Sequence, residues 1–208
     1  MRAGAHGGSF PPSPELGART RLYRRRQRKR RADLLPPSKS AVMLVSDDEG
    51  RHWTPAVAGL DDPDVHQILP SSRTRGFVVA ACGEGIYRSL DRGEHWEKVT
   101  PSGARDFGSA VTEDGTGAIY LGLALGRPNT WLRKQRADAA IFVSNDGGAH
   151  WDSATAALSG GVMAMCPAVG GEGVFASTSE GDVLQVDSSG ARKIIGGLPS
   201  ITALAVGA

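Results

Sequence analysis

The chain has 208 residues, 40% of them hydrophobic, with 24 Lys and Arg against 22 Asp and Glu, a composition that suits a globular chain of one or two domains. Twenty-eight glycines and only short apolar runs exclude a membrane-spanning helix and leave no convincing helical period, so the expected class is all-β. No P-loop, zinc-ligand spacing, nucleophile elbow or dinucleotide fingerprint occurs, and no cofactor or metal is expected.

Charge divides the chain in two. Residues 1–40 hold 11 Lys and Arg against 2 acids, which leaves 13 against 20 in residues 41–208. The first segment, with its run Arg24–Arg31 among Pro and Gly, reads as a basic, disordered N-terminal tail. Nucleic acid is a conceivable partner only through that run, residues 24–31, which has no interleaved aromatic side chain for base stacking. There is no apolar core of signal-peptide length near Met1, so the expected location is cytoplasmic, or secreted if the native N-terminus is missing.

From residue 41 the chain becomes repetitive. A strand at Val42–Val45 leads into SDDEGRHW, Ser46–Trp53; the same octet returns as SLDRGEHW, Ser89–Trp96, and as SNDGGAHW, Ser144–Trp151. The constant positions are Ser46, Asp48, Gly50 and Trp53, then Ser89, Asp91, Gly93 and Trp96, then Ser144, Asp146, Gly148 and Trp151. Strands are expected before the second octet at Val65–Pro70, Phe77–Ala81 and Ile86–Ser89, with a fourth from Trp96. A gap-free shift of 97 residues lays this unit on the C-terminal stretch, Val65–Pro70 on Val162–Pro167 and Gly76 on Gly173. A fourth, decayed octet then falls at Val186–Lys193, with Ser188 in place of Asp and Lys193 in place of Trp. Ile201–Val206 reads as the first strand of another unit, and only Thr20–Tyr23 offers a weak second strand for the first one. Cys82 and Cys166 are expected to be a reduced, buried pair.

Each octet reads as a hairpin turn. The Asp carboxylate and Ser hydroxyl accept hydrogen bonds from turn amides, the Gly supplies a positive φ, and the Trp ring covers the turn with its N–H within reach of an acceptor. Asp48, Asp91 and Asp146 are therefore read as turn locks rather than catalytic groups. His52, His95 and His150 are not read as metal ligands, since equivalent turns of successive units lie far apart. An EF-hand is excluded because the terminal bidentate Glu is missing.

The octet resembles the Asp-box, or BNR repeat, of sialidases, xyloglucanases, sortilin-type receptors and a photosystem II assembly factor, over roughly residues 41–208. The resemblance implies a β-propeller of four-stranded blades, the box forming the turn between strands three and four. About four blades are present, and the propeller is incomplete or a fragment of a larger one. The turns between strands two and three then lie on the opposite face, where such propellers bind. The third unit enlarges that turn to Leu125–Ala140, with Arg127, Trp131, Arg133, Lys134 and Arg136 as binding candidates: an exposed indole among cations suits an anionic or sugar partner.

Glu84, Glu180 and Asp182 fall on the same face and are weak catalytic candidates, because a glycosidase needs two carboxyl groups across the scissile bond. A sialidase would also need an arginine triad and a Tyr–Glu pair. The Phe/Tyr-Arg-Ile-Pro motif is absent, and after the tail only Tyr87 and Tyr120 occur. The expected function is a noncatalytic binding or scaffold module for a protein or carbohydrate partner. The alternative is a sialidase- or xyloglucanase-like glycoside hydrolase, or an inactive remnant of one.

Overall fold

The computed structural model describes residues 22–27, 41–62, 64–134 and 136–207. Four antiparallel sheets follow one another. The first holds β1 (Leu22–Gln27), β2 (Ala41–Ser46) and β3 (Thr54–Pro55); the second β4 (Val65–Pro70), β5 (Val78–Cys82), β6 (Gly85–Ser89) and β7 (Glu97–Lys98). The third holds β8 (Phe107–Glu113), β9 (Ile119–Ala124), β10 (Ala140–Ser144) and β11 (Asp152–Ser153), with helix α1 (Pro128–Lys134) between β9 and β10. The fourth holds β12 (Val162–Pro167), β13 (Val174–Thr178), β14 (Val183–Asp187) and β15 (Gly190–Ile195). Every sheet is a simple meander, as short strands joined by tight turns produce.

The first strands β4, β8 and β12 lie side by side in succession, with β1 and β2 against β4. Sheets stacked face to face about their innermost strands are the blades of a β-propeller. Alternation along the strands supplies an apolar surface to both faces of a blade. Val78, Ala80 and Cys82 face Met43 and Val45 of the first blade. Phe77, Val79 and Ala81 face Val111, Ile119 and Leu121 of the third. The third and fourth blades meet through Tyr120, Ile141, Val162, Val174 and Leu184. Three clusters thus join four blades in series. Each complete blade also carries a register irregularity in its first strand, at Val65/Gln67, Gly108/Ala110 and Val162/Ala164, a β-bulge that increases local twist.

Several sequence expectations need correction. Leu22–Gln27 falls within the segment expected to be a disordered tail, yet it pairs antiparallel with β2, Leu22 opposite Ser46 and Gln27 opposite Ala41. Strand two of the first blade is therefore this segment, and its pairing satisfies an edge of β2 that would otherwise lack partners. The rest of residues 1–40, including Arg28–Arg31 of the basic run, lies outside the described residues. Ile201–Val206 forms no strand: among the described residues no further strand follows for it to pair with. The 97-residue shift holds for the first and third strands but slips by one in the second, where Pro70 faces Val78 and Pro167 faces Val174. The loop before β13 is one residue shorter and the turn after it one longer. Lastly, the enlarged turn contains a helix. Pro128 opens it, where a missing N–H costs nothing, and Arg133 and Lys134 lie in its last turn, favourably placed for the helix dipole.

Candidate functional site

Register fixes the two ends of the propeller. Val65, which begins β4, faces Cys82, which ends β5, so turns between second and third strands share an end with the connections from blade to blade. The octets and the loops between first and second strands occupy the other end.

At the octet end the three turns are built alike. Ser46, Ser89 and Ser144 are buried; each hydroxyl donates to its Asp Oδ1 at 2.8, 2.8 and 2.9 Å. Each also accepts from the Gly50, Gly93 or Gly148 amide at 2.8, 2.7 and 2.8 Å. The same Asp oxygen accepts from the His52, His95 or His150 amide, and the other oxygen pairs with that histidine's Nδ1. The glycines have φ of 85°, 81° and 80°. Glu49, Arg92 and Gly147, one position earlier, are also left-handed at 61°, 63° and 69°, so the turn needs two successive positive φ values where one was expected.

Trp53 and Trp96 donate to the Gly50 and Gly93 carbonyls at 2.9 and 3.2 Å. Trp151 breaks the pattern: its buried indole N–H has no hydrogen-bond partner among the described residues. Backbone and ring hydrogen bonds from His52 hold the Asp48 carboxyl down at about 2. For Asp91 burial pushes upward, but hydrogen bonds from His95 and Ser89 outweigh it and bring the carboxyl to about 2. Hydrogen bonds from His150 and Ser144 depress Asp146 as well. Among the described residues Asp91, Glu94 and His95 bring potential ligand atoms within 4.8 Å of one another, but the Asp91 oxygens are already engaged by the turn.

The decayed octet keeps the hairpin and changes its chemistry. Asp187 and Gly190 pair directly across a two-residue turn, and the Asp187 carboxylate, not Ser188, accepts from the Ser189 amide at 2.9 Å. Lys193 lies inside β15 rather than capping the turn, and reaches Asp182 at 2.7 Å.

Sequence reasoning missed two carboxylates at this end. Glu113, at the end of β8, accepts from the Ser71 hydroxyl at 2.6 Å and the Ser72 amide at 2.7 Å, tying the third blade to the second. Asp114 closes its own turn through the Thr116, Gly117 and Ala118 amides and takes the Gly173 amide of the fourth blade at 2.8 Å. Burial raises the Asp114 carboxyl, and these hydrogen bonds more than offset that, leaving it below the usual range. The run Asp114-Gly-Thr-Gly117 was a legible turn signal; the partners across blades were not.

At the opposite end the structure revises the candidates. Trp131 is 8% exposed and belongs to the core between the third and fourth blades, edge-on to Phe107 at 5.8 Å. Its indole N–H donates to the Gly126 carbonyl at 3.0 Å. It packs so closely on Gly161 that a Cβ there would lie 2.2 Å from the ring. The expected exposed platform is therefore an anchor that pins α1 to the sheets, as a large apolar ring beside a sheet edge is driven to become.

Arg127 pairs with Glu84 at 3.1 Å, so a binding candidate and a catalytic candidate form one bridge between the second and third blades. Arg136 pairs with Asp138 at 3.1 Å, as does Arg105 at 3.2 Å. Arg133 and Lys134 are exposed, with no ion pair among the described residues. Glu180 accepts from the Ser159 hydroxyl at 2.5 Å and Asp182 pairs with Lys193; both lie on the fourth blade, with the third between them and Glu84.

The cysteines are free. Burial pushes the Cys82 thiol up to about 12, the behaviour of an inert core residue. Cys166, expected to be buried, is half-buried, as is its register equivalent Leu69 in the second blade. No helix among these residues is long and apolar enough to cross a membrane.

No family model and no curated protein matches the chain. Solved structures do. An ancestral GH74 enzyme superposes with a TM-score of 0.61 at 14% identity over 78% of this chain and 23% of its own. The extracellular domain of BT4673 from B. thetaiotaomicron gives 0.57 at 15% identity over 78% of this chain and 22% of its own. The GH74 xyloglucanase from Xanthomonas campestris gives 0.53 at 15% identity over 75% and 27%. This chain spans about a quarter of the length of these structures. At such identities the likeness is one of fold, and the fold is the β-propeller.

Proposed function

We propose that the chain is a noncatalytic Asp-box (BNR-like) propeller module that binds a protein or carbohydrate partner through the end carrying α1. The observation behind this reading is the helix itself. Trp131 fixes it in the core, and Arg133 and Lys134 stand exposed on it, on a domain whose residues 41–208 carry 20 acids against 13 bases. A rigidly held cationic patch on an acidic body favours an anionic surface, such as an acidic protein face or an anionic glycan. Membership of the Asp-box family is supported by the shared hydrogen-bond plan of the three octets. Acid–base chemistry is the weaker reading. Glycosidase action belongs to some of the fold's neighbours, and the three candidate carboxylates here are held by Arg127, Ser159 and Lys193, on blades that do not adjoin.

Retention on immobilised heparin tests the patch. The double variant Arg133→Glu/Lys134→Glu should elute at clearly lower salt than the wild type, with an unchanged melting temperature. The run 24–31 contributes equally to both proteins, so the difference isolates α1; equal elution would remove α1 as the binding surface. Turnover of any glycoside that disappears in Glu84→Gln would bring the hydrolase forward instead.

A further inference from the structure

We propose that Asp62, Asp64 and His66 hold a zinc ion in a cradle that a side chain on Gly83 would fill. Asp62 and Asp64 belong to the connection between the first and second blades, and His66 lies just inside β4. Gly83, in the turn between β5 and β6, is tied to that connection by its amide, which donates to the Asp64 carbonyl at 3.0 Å. A Cβ on Gly83 would lie 3.0 Å from Asp62 Oδ2 and 3.0 Å from Asp64 Oδ2. Two carboxylate oxygens thus converge on one point. Gly83 has no left-handed φ, so space, not backbone conformation, is what favours a glycine there.

Two buried polar atoms beside this point lack partners. Asp62 Oδ1 accepts from the Asp64 amide at 3.0 Å, while Oδ2 is buried with no hydrogen-bond partner among the described residues. An anionic oxygen buried in that way is costly, and a cation removes the cost. Tyr87 is fully buried, and its hydroxyl is likewise without a hydrogen-bond partner among the described residues. The Asp62 amide and the Asp61 and Asp62 carboxylates face it; burial, and then the Asp61 charge, raise its pKa. The phenol therefore stays neutral, fit to hydrogen-bond a water carried by the ion.

His66 supplies the third ligand already oriented. Its Nδ1 stands 2.6 Å from the Gly108 carbonyl oxygen of the third blade. A carbonyl only accepts, so Nδ1 carries the hydrogen and Nε2 of the neutral ring presents its lone pair. Nε2 lies 3.6 Å from Asp64 Oδ2, with the two side chains 17% and 18% exposed. A lone pair facing a carboxylate oxygen repels it unless a positive charge joins them. A backbone carbonyl behind the ring is the usual support of a metal-bound histidine. Nitrogen and oxygen ligands about 2.1 Å from one tetrahedral ion stand roughly 3.4 Å apart, close to the separation here. A proton on Nε2 would also join His66 to Asp64, but it would leave Asp62 Oδ2 and the Tyr87 hydroxyl unsatisfied.

One imidazole with two carboxylates suits zinc better than calcium or magnesium, which favour all-oxygen shells. The two carboxylates also balance its charge. These ligands are not gathered within 4.8 Å, as Asp91, Glu94 and His95 are among the described residues, so ion entry requires Asp62 Oδ2 to close on the other two. The bound ion would tie the connection between the first two blades to β4, and through His66 to the third blade.

The experiment is calorimetric titration of zinc chloride into the chelator-treated 208-residue chain, with melting temperature followed in parallel. One equivalent should bind with micromolar or tighter affinity and raise the melting temperature. Asp64→Asn and His66→Gln should each weaken that event at least tenfold. Gly83→Ala should do the same by filling the cradle, while its metal-free melt stays near wild type. His95→Gln should leave the event unchanged. Absence of a one-equivalent event would overturn the proposal. So would an event that survives His66→Gln and Gly83→Ala, or one that disappears with His95→Gln.

Discussion

At the scale of the residue, the octets show how one short sequence stores a turn. A buried serine donates to the aspartate and accepts from the glycine amide, and the aspartate takes the histidine amide. Removing the carboxylate in Asp91→Ala leaves that amide without its partner and should cost about 1–3 kcal/mol, read as a lower denaturant midpoint; an unchanged midpoint would contradict the lock. His95 has an 80% exposed ring, and His95→Ala should stay within about 0.5 kcal/mol of wild type. Trp96→Phe loses a hydrogen bond that Trp151→Phe does not, so the first should be the more damaging of the pair in the same assay.

The depressed carboxyls also set a pH window. Asp48 and Asp91 titrate at about 2 in the fold and near 3.9 when unfolded. Their contribution is complete above about pH 4 and is lost as pH falls toward 2. The melting temperature should drop through that window, and less steeply in Asp91→Asn. These residues were legible because their partners lie within four positions. Glu113 and Asp114 were not, since Ser71 and Gly173 stand 42 and 59 positions away, and no local pattern reports such pairs.

At the scale of the element, strands emerged from alternation and turn chemistry to within a residue or two: Val65–Pro70 was read as it stands, and β5 begins one position later than expected. What failed did so for tertiary reasons. Arg127, Trp131, Arg133, Lys134 and Arg136 read as an exposed basic loop because composition cannot show that one indole turns inward. Once it does, the segment shortens into α1, and the flanking cations divide into those with an ion pair among the described residues, Arg127 and Arg136, and the exposed Arg133 and Lys134. Trp131→Ala should therefore cost about 3–5 kcal/mol and loosen the helix. Gly161→Ala, which would push a methyl into the same ring, should cost about 1–3 kcal/mol. Chemical denaturation with far-ultraviolet dichroism distinguishes these outcomes from the small losses expected of a solvated loop. Ile201–Val206 has the composition of a strand and forms none, because a strand is a relation between two segments.

At the scale of the whole molecule, the four described blades form a series joined by three apolar clusters, one between each blade and the next. Side-chain bridges from Glu113, Asp114 and Arg88 reinforce the joints from the octet end. Such a chain gains stability from neighbour contacts as much as from single units, so loss of Asp114, which holds its own turn and the fourth blade together, should separate unfolding into two transitions. Asp114→Ala followed by calorimetry reports this, and one sharp transition would argue against the bridge. The measurement closest to the central claim, that the repeated octets serve the fold, is amide hydrogen exchange on the native chain. Slow exchange is expected at Gly50, Gly93 and Gly148, whose amides the buried serines hold, and faster exchange at Ser189 in the decayed turn. Uniformly fast exchange at all four turns would contradict the hydrogen-bond plan on which this reading of the octets rests.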